Sequence, residues 1–260
     1  MKNYKPILII AFVCAIIFTA CQKNYINPQN QNNTPGAKLI KFGDPTNNNQ
    51  FEYDASSNIS KLTIVTDSVP TEYSVTYQNG KASQLQSAYF TSKLTYDSGH
   101  LIRSEVYNNA TDLQNMAIYS YSGNDVSEEI LYESLNYGSL EPQLKYKFET
   151  LPNGDIGMTE IFLWDRTTEQ FNFAGSYKYV YDDHRNPVYD TKDLYMLFNL
   201  PATPHNIRTI TSYDASGVQI SLTTYDYTYN STGCPIQVKR TDTPTGGFDW
   251  VTTLSYAYQQ

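Results

Sequence analysis

Tyrosines at every second position dominate the second half of this chain. They form the sets Tyr177/Tyr179/Tyr181, Tyr225/Tyr227/Tyr229 and Tyr256/Tyr258. Successive side chains of an extended strand point to opposite faces, so each set lies on one face of one strand. Between such stretches stand Asn-Gly, Ser-Gly, Gly-Asn and Thr-Gly pairs, which tolerate the positive φ of tight hairpins. Asn79-Gly80 is the strongest two-residue signal of this kind. The chain carries 24 tyrosines against 11 phenylalanines and 2 tryptophans. Tyrosine suits half-buried pleated surfaces, where the ring packs and the hydroxyl reaches water or a partner.

The strand–turn–strand unit recurs from Lys38 to Gln260. Copies begin at Phe51, Tyr73, Leu94, Tyr119, Leu144, Tyr177, Ile210 and Tyr225, and Leu254 to Tyr258 closes the series as a half unit. Tyr53-Asp54, Tyr96-Asp97-Ser98-Gly99, Tyr181-Asp182-Asp183-His184-Arg185-Asn186-Pro187 and Tyr213-Asp214-Ala215-Ser216-Gly217 stand at corresponding places. These units resemble the tyrosine-aspartate (YD) repeats of RHS-type proteins, and they look like a group of Bacteroides-lineage lipoproteins without an assigned function. The resemblance covers most of residues 50–260 and implies a strip of consecutive antiparallel hairpins. It carries over no catalytic residue.

Eight such hairpins make roughly fifteen strands, and open twisted sheets rarely exceed about ten before curling or splitting. The expected fold is therefore all-β: a curled antiparallel sheet of consecutive hairpins, a half-barrel or short spiral. A two-sheet sandwich is the alternative. One stretch breaks the rhythm. Leu194, Leu197 and Phe198 share a helical face, and Pro201 and Pro204 end it. This predicts one short helix near 190–200, plugging the sheet's open edge or concave face.

The N-terminus assigns a place. Lys2 and Lys5 precede an apolar run from Ile7 to Phe18, too short to span a bilayer, and Thr19-Ala20 stand directly before Cys21. Phe18-Thr19-Ala20-Cys21 resembles the lipobox of bacterial lipoproteins, with Phe18 where an aliphatic is usual. The resemblance implies acylation of Cys21, removal of residues 1–20 and stable anchoring in a membrane. Residues 21–37, rich in Asn and Gln, then form a flexible tether, and 38–260 form a single antiparallel domain. The early tether residues Gln22, Lys23 and Asn24 leave open whether the protein faces the periplasm or the outer surface of the outer membrane. Losing Cys14 and acylating Cys21 would leave only Cys234, so no disulfide is expected. The formal charge of −8 falls further once Lys2 and Lys5 are removed, which argues against nucleic acid as a partner.

Catalytic signatures are absent. There is no G-x-S-x-G, no H-E-x-x-H and no phosphate-cradling loop. His100, His184 and His205 fall in expected turns or loops, and none has a second ligand at metal spacing. Asp182-Asp183-His184 reads as turn chemistry. Glu128 and Glu129 would point to opposite sheet faces. No cofactor or metal is expected. Candidate ligand contacts are Trp164, beside Asp165-Arg166, and Trp250, after the Thr243–Gly247 loop. Two readings follow. The first is a lipid-anchored, non-enzymatic envelope protein that binds a glycan or another envelope protein. The second is a carboxylate-dependent hydrolase acting on polysaccharide.

Overall fold

The computed structural model describes residues 38–108, 111–134, 139–187, 189, 194 and 203–259. Sixteen strands among them close into one antiparallel barrel. They are β1 (Lys38–Gly43), β2 (Asn48–Tyr53), β3 (Ile59–Thr66), β4 (Val69–Gln78), β5 (Lys81–Gln86), β6 (Phe90–Asp97), β7 (His100–Asn108) and β8 (Asp112–Ser122). There follow β9 (Asp125–Ser134), β10 (Leu140–Thr150), β11 (Ile156–Asp165), β12 (Gln170–Arg185), β13 (His205–Asp214), β14 (Gln219–Tyr229), β15 (Pro235–Pro244) and β16 (Trp250–Gln259). Every strand pairs with its sequence neighbours, and β1 pairs with β16 from Lys38↔Gln259 to Gly43↔Ser255.

That last pairing corrects the expected curled strip, half-barrel or sandwich. A strip that curls far enough leaves two edges of unpaired N–H and C=O groups facing each other, and joining them satisfies both. Consecutive turn chemistry encodes neighbouring hairpins only, so nothing local announces a contact between positions 38 and 259. Of the expected helix at 190–200, Leu194 alone lies within the described residues. It is helical and packs into the core cluster.

The Tyr-Asp pairs acquire a physical meaning. In the even-numbered strands the ladder slips by one residue just before the tyrosine, between Glu52 and Tyr53, Thr76 and Tyr77, and Ser120 and Tyr121. The extra residue lies on the following strand (Ser60, Ser83 and Ser127), the tyrosine keeps the inward alternation of its own strand, and its hydroxyl donates to a carbonyl on the preceding strand. The bonds are Tyr53 to Leu39 (2.8 Å), Tyr121 to Leu101 (2.9 Å), Tyr181 to Ile156 (2.8 Å) and Tyr258 to Pro235 (2.7 Å). The following acid or amide fastens the turn. Asp54 Oδ1 accepts from the backbone N–H groups of Ser56 and Asn58, and Asn230 Oδ1 does the same for Thr232 and Cys234. A hooked strand and a clamped turn thus recur as one unit.

Candidate functional site

Register separates the two faces of the wall. Tyr227, Val238 and Leu254 form one cross-strand row, and Tyr225 and Tyr256 each lie two residues along the same face, on β14 and β16. Tyr225, Val238 and Tyr256 belong to the core cluster, together with Leu39, Phe51, Leu62, Leu85, Leu101 and Ala117 from the other half of the ring, and Tyr227 and Leu254 pack against it. The face bearing them is the inside, and at this level side chains fill the lumen. A sixteen-stranded ring of open-pore type would instead hold an aqueous channel.

The outer face carries rows of charged and polar side chains beside exposed Ile118, Phe173, Val180, Ile220 and Val251. Lys61 lies between Glu52 (3.3 Å) and Glu72 (2.8 Å) across β2, β3 and β4. Lys147 stands in register between Glu128 and Glu160. Gln50, Thr63, Thr76, Gln84, Lys93, Lys178 and Thr211 face the same way.

Packing is graded along the barrel. At one end lie the tyrosine hooks and the β2–β3, β4–β5, β6–β7, β8–β9, β10–β11, β12–β13 and β14–β15 connections. This end is closed. Buried Asp155 holds two of its loops together: it accepts from the His205 N–H (3.0 Å) and from Asn153 Nδ2 (2.7 Å), and faces His205 Nδ1 at 2.8 Å. Asn186 N–H donates to Pro204 O, and Leu194 adds its side chain to the core.

The opposite end is open. Along the inner face of β16, exposure rises from 7% at Tyr256 to 72% at Trp250. Around the same rim the inward residues Phe90, Asn115, Glu133, Leu163 and Asn172 are also exposed. Below Trp250, in direct register with it, Asp242 accepts from Thr223 Oγ1 (2.7 Å) and pairs with Arg240 (2.8 Å). The mouth therefore offers exposed aromatic faces above a part-exposed Arg–Asp–Thr set.

The sequence-derived residues divide accordingly. Trp250 sits in this mouth. Trp164 does not: it is on the outer face, edge-on to Phe171 with ring centroids 5.0 Å apart. Phe162 and Phe173 extend that outer cluster, and Lys145 Nζ lies 5.1 Å from the Phe162 ring and 4.8 Å from the Phe171 ring. Cys21 lies outside the described residues. Asp182, Asp183 and His184 are in strand β12 and not in a tight turn, because β12 is 16 residues long and continues through the expected hairpin to Arg185. Asp182 accepts from the Tyr229 hydroxyl and from His184 N–H (2.9 Å), and the His184 ring stacks on Tyr229 at 3.8 Å. Burial raises the Asp182 carboxyl above its ordinary range, against those hydrogen bonds.

The burial of Glu129 escaped the sequence reading. Alternation does send Glu128 and Glu129 to opposite faces, and Glu129 goes inward, between Tyr119 and Tyr146, where it is 1% exposed. Burial raises its pKa from an ordinary 4.5 to about 8, against a hydrogen bond with Tyr119. Among the described residues no cluster of three His, Cys, Asp or Glu side chains could hold a metal ion. Cys234 is fully buried, and its backbone N–H donates to Asn230 Oδ1 (2.9 Å). The chain's other cysteines are Cys14 and Cys21.

No protein-family model matches the chain, and no curated protein does. Solved structures do. A porin-like protein from Bacteroides uniformis superposes with a TM-score of 0.59 at 12% identity, covering 85% of this chain and 98% of that one. A porin-like protein from Bacteroides vulgatus gives 0.55 at 12% identity with the same coverage. At that identity the likeness establishes a shared fold. These all-β barrels from Bacteroides are what this chain is similar to.

Proposed function

We propose that the mature chain is a lipid-tethered barrel standing in water at the cell envelope, whose open end binds a neutral glycan without chemistry. The observation that carries this reading is the direction of the side chains. A barrel inserted in a bilayer needs an apolar outer band about 25 Å tall and a polar interior. This barrel has the reverse: Lys61 with its two glutamates and Lys147 between two more are outside, and Tyr225, Val238 and Tyr256 are inside. "Porin-like", as said of the neighbours, would then describe the ring and not a pore. A barrel of this polarity needs another means of staying at a membrane, and the lipobox-like Phe18-Thr19-Ala20-Cys21 supplies one.

The mouth supports a glycan as ligand. Pyranose faces are weakly polar and stack on exposed aromatics such as Trp250. Their hydroxyls match groups that both donate and accept, which the Arg240–Asp242–Thr223 set and the rim asparagines Asn115 and Asn172 provide. Strand β1 begins at the closed end, so the tether would hold that end toward the membrane and leave the mouth facing away.

Three measurements test the reading. Purified residues 38–260 should stay soluble without detergent and give no conductance in a planar bilayer; stepwise channels would overturn it. In cells, Cys21→Ala should abolish labelling with a palmitate analogue and release the protein from membranes. A Cys21 that is found disulfide-bonded to Cys234 in the mature protein would exclude acylation, because its sulfur cannot carry both. Binding of neutral oligosaccharides by calorimetry should be modest, about millimolar to micromolar, and Trp250→Ala should remove it. Turnover of the oligosaccharide would favour the hydrolase reading instead.

A further inference from the structure

On the outer wall, away from the mouth, strands β12, β13 and β14 enclose a groove of ≈ 390 Å³. Val180, Tyr181, Asp182, Arg208, Thr209, Thr224 and Asp226 line it. Its volume is at the small end for a ligand site, enough for a ligand the size of an amino acid or dipeptide. Its charges are arranged unusually. Arg208 and Asp182 share the groove and act on each other through space. Among the described residues, however, no ion pair within 4.0 Å joins them. Asp226 is exposed on the same floor, with Lys239 as its cross-strand neighbour. A surface Arg and Asp that can reach each other ordinarily close to contact. Here the anion stands on β12 and the cation on β13, both lining one groove.

Asp182 is also a built feature. Its side chain is 7% exposed. One carboxylate oxygen is fixed by the Tyr229 hydroxyl, which in turn accepts from Asn206 Nδ2 at 3.2 Å. The other oxygen accepts the backbone N–H of His184. The carboxylate is thereby aimed by three strands and cannot swing out to meet Arg208. Such a fixed anion sharing a groove with a cation is complementary to a molecule that carries both charges at its own two ends.

The geometry points to a binding site for a small zwitterion, a free α-amino acid or a short peptide. Its ammonium lies toward Asp182 and Asp226, its carboxylate on the Arg208 guanidinium, and its body against the exposed Val180 side chain. Arg208 suits the carboxylate end because its planar fork can engage two oxygens at once. Thr209 and Thr224 add hydroxyls for the peptide groups. The site is independent of the glycan reading, since Trp250 and the mouth take no part in it.

Calorimetric titration of residues 38–260 with glycylglycine tests the assignment, beside N-acetylglycylglycine, which lacks the ammonium, and glycylglycinamide, which lacks the carboxylate. The expected result is binding of the dipeptide and at least tenfold weaker binding of each blocked form. Arg208→Gln removes an exposed side chain and should leave folding intact. It should bring glycylglycine down to the level of its amide while leaving Trp250-dependent glycan binding unchanged. Asp226→Asn, also exposed, should weaken the dipeptide and leave the N-acetyl form unaffected. Equal binding of all three probes, no binding of any, or competition by a neutral oligosaccharide at the groove would each overturn the assignment.

Discussion

Tyr256 and Trp250 stand on the same face of the same strand, six residues apart, and their surroundings have nothing in common. Tyr256 is packed against Phe42 with ring centroids 4.6 Å apart, deep in the cluster that fills the closed half. Trp250 meets solvent over most of its surface, beside an ion pair. The hairpins run unbroken through both regions, so the backbone is not what distinguishes them. The closed half receives large inward rings, bulges and hydroxyl hooks. The open half receives Asn115, Glu133, Asn172, Arg240 and Asp242 on the inner face, which cannot pack into an apolar core. Packing is thereby concentrated in one half of the repeat, and the proposed binding falls to the other.

The comparison breaks first at Glu129, a buried carboxyl on the core side of the divide. Its carboxyl stays protonated in the fold up to about pH 8 but ionises near 4.5 when unfolded. Between those values the folded state holds the extra proton, so stability falls as pH rises, at about 1.36 kcal/mol per unit for full separation. Glu129→Gln should match the wild type at pH 4 and exceed it progressively toward pH 8, by a ceiling of about 4–5 kcal/mol. Urea melts at both pH values read this directly. A constant difference would mean that Glu129 is not held neutral by burial.

Tyr225→Ala comes next. This fully buried ring lies in the closed half, and its loss should cost about 3–5 kcal/mol in chemical denaturation, the range for deleting a large buried aromatic. On the outer wall, Trp164→Ala should cost about 1–2 kcal/mol, because the half-buried ring forfeits its edge contact with Phe171 and part of its burial. Trp250→Ala should change stability by less than about 0.5 kcal/mol while removing glycan binding, as expected of an exposed surface residue. If Trp250→Ala proves as costly as Tyr225→Ala, the mouth is core and the division between halves fails.

Much of the closed half was legible in the sequence. Period-two tyrosines gave the inward face, the Asp and Asn turns gave the hairpins, and Leu194 falls where a plug was expected. Ring closure was not legible, since β1 and β16 carry no local sign of each other. Nor was the role of Asp182 and His184, whose neighbours Tyr229 and Asn206 come from strands far along the chain. Glu129 was dismissed as half of an ill-placed carboxylate pair. Strand periodicity tells which face a residue takes but not how deep that face lies. Trp164 and Trp250 read alike in sequence for the same reason: each follows or precedes a turn, and only register puts one outside and the other in the mouth.

Pairing β1 with β16 also has a kinetic meaning. Each hairpin can form from residues close in sequence, but the seam joins Lys38 to Gln259, the longest separation the domain contains. Contacts of such separation form slowly, because a long loop must be closed before they return any energy. Until then the growing sheet has two raw edges, which invite pairing with other chains. The barrel cannot be sealed until its last strand has been delivered, so a chain exported from its N-terminus would cross the membrane unsealed and close on the far side. Deleting Trp250–Gln259 should accordingly yield aggregates with strand content and not a smaller soluble domain.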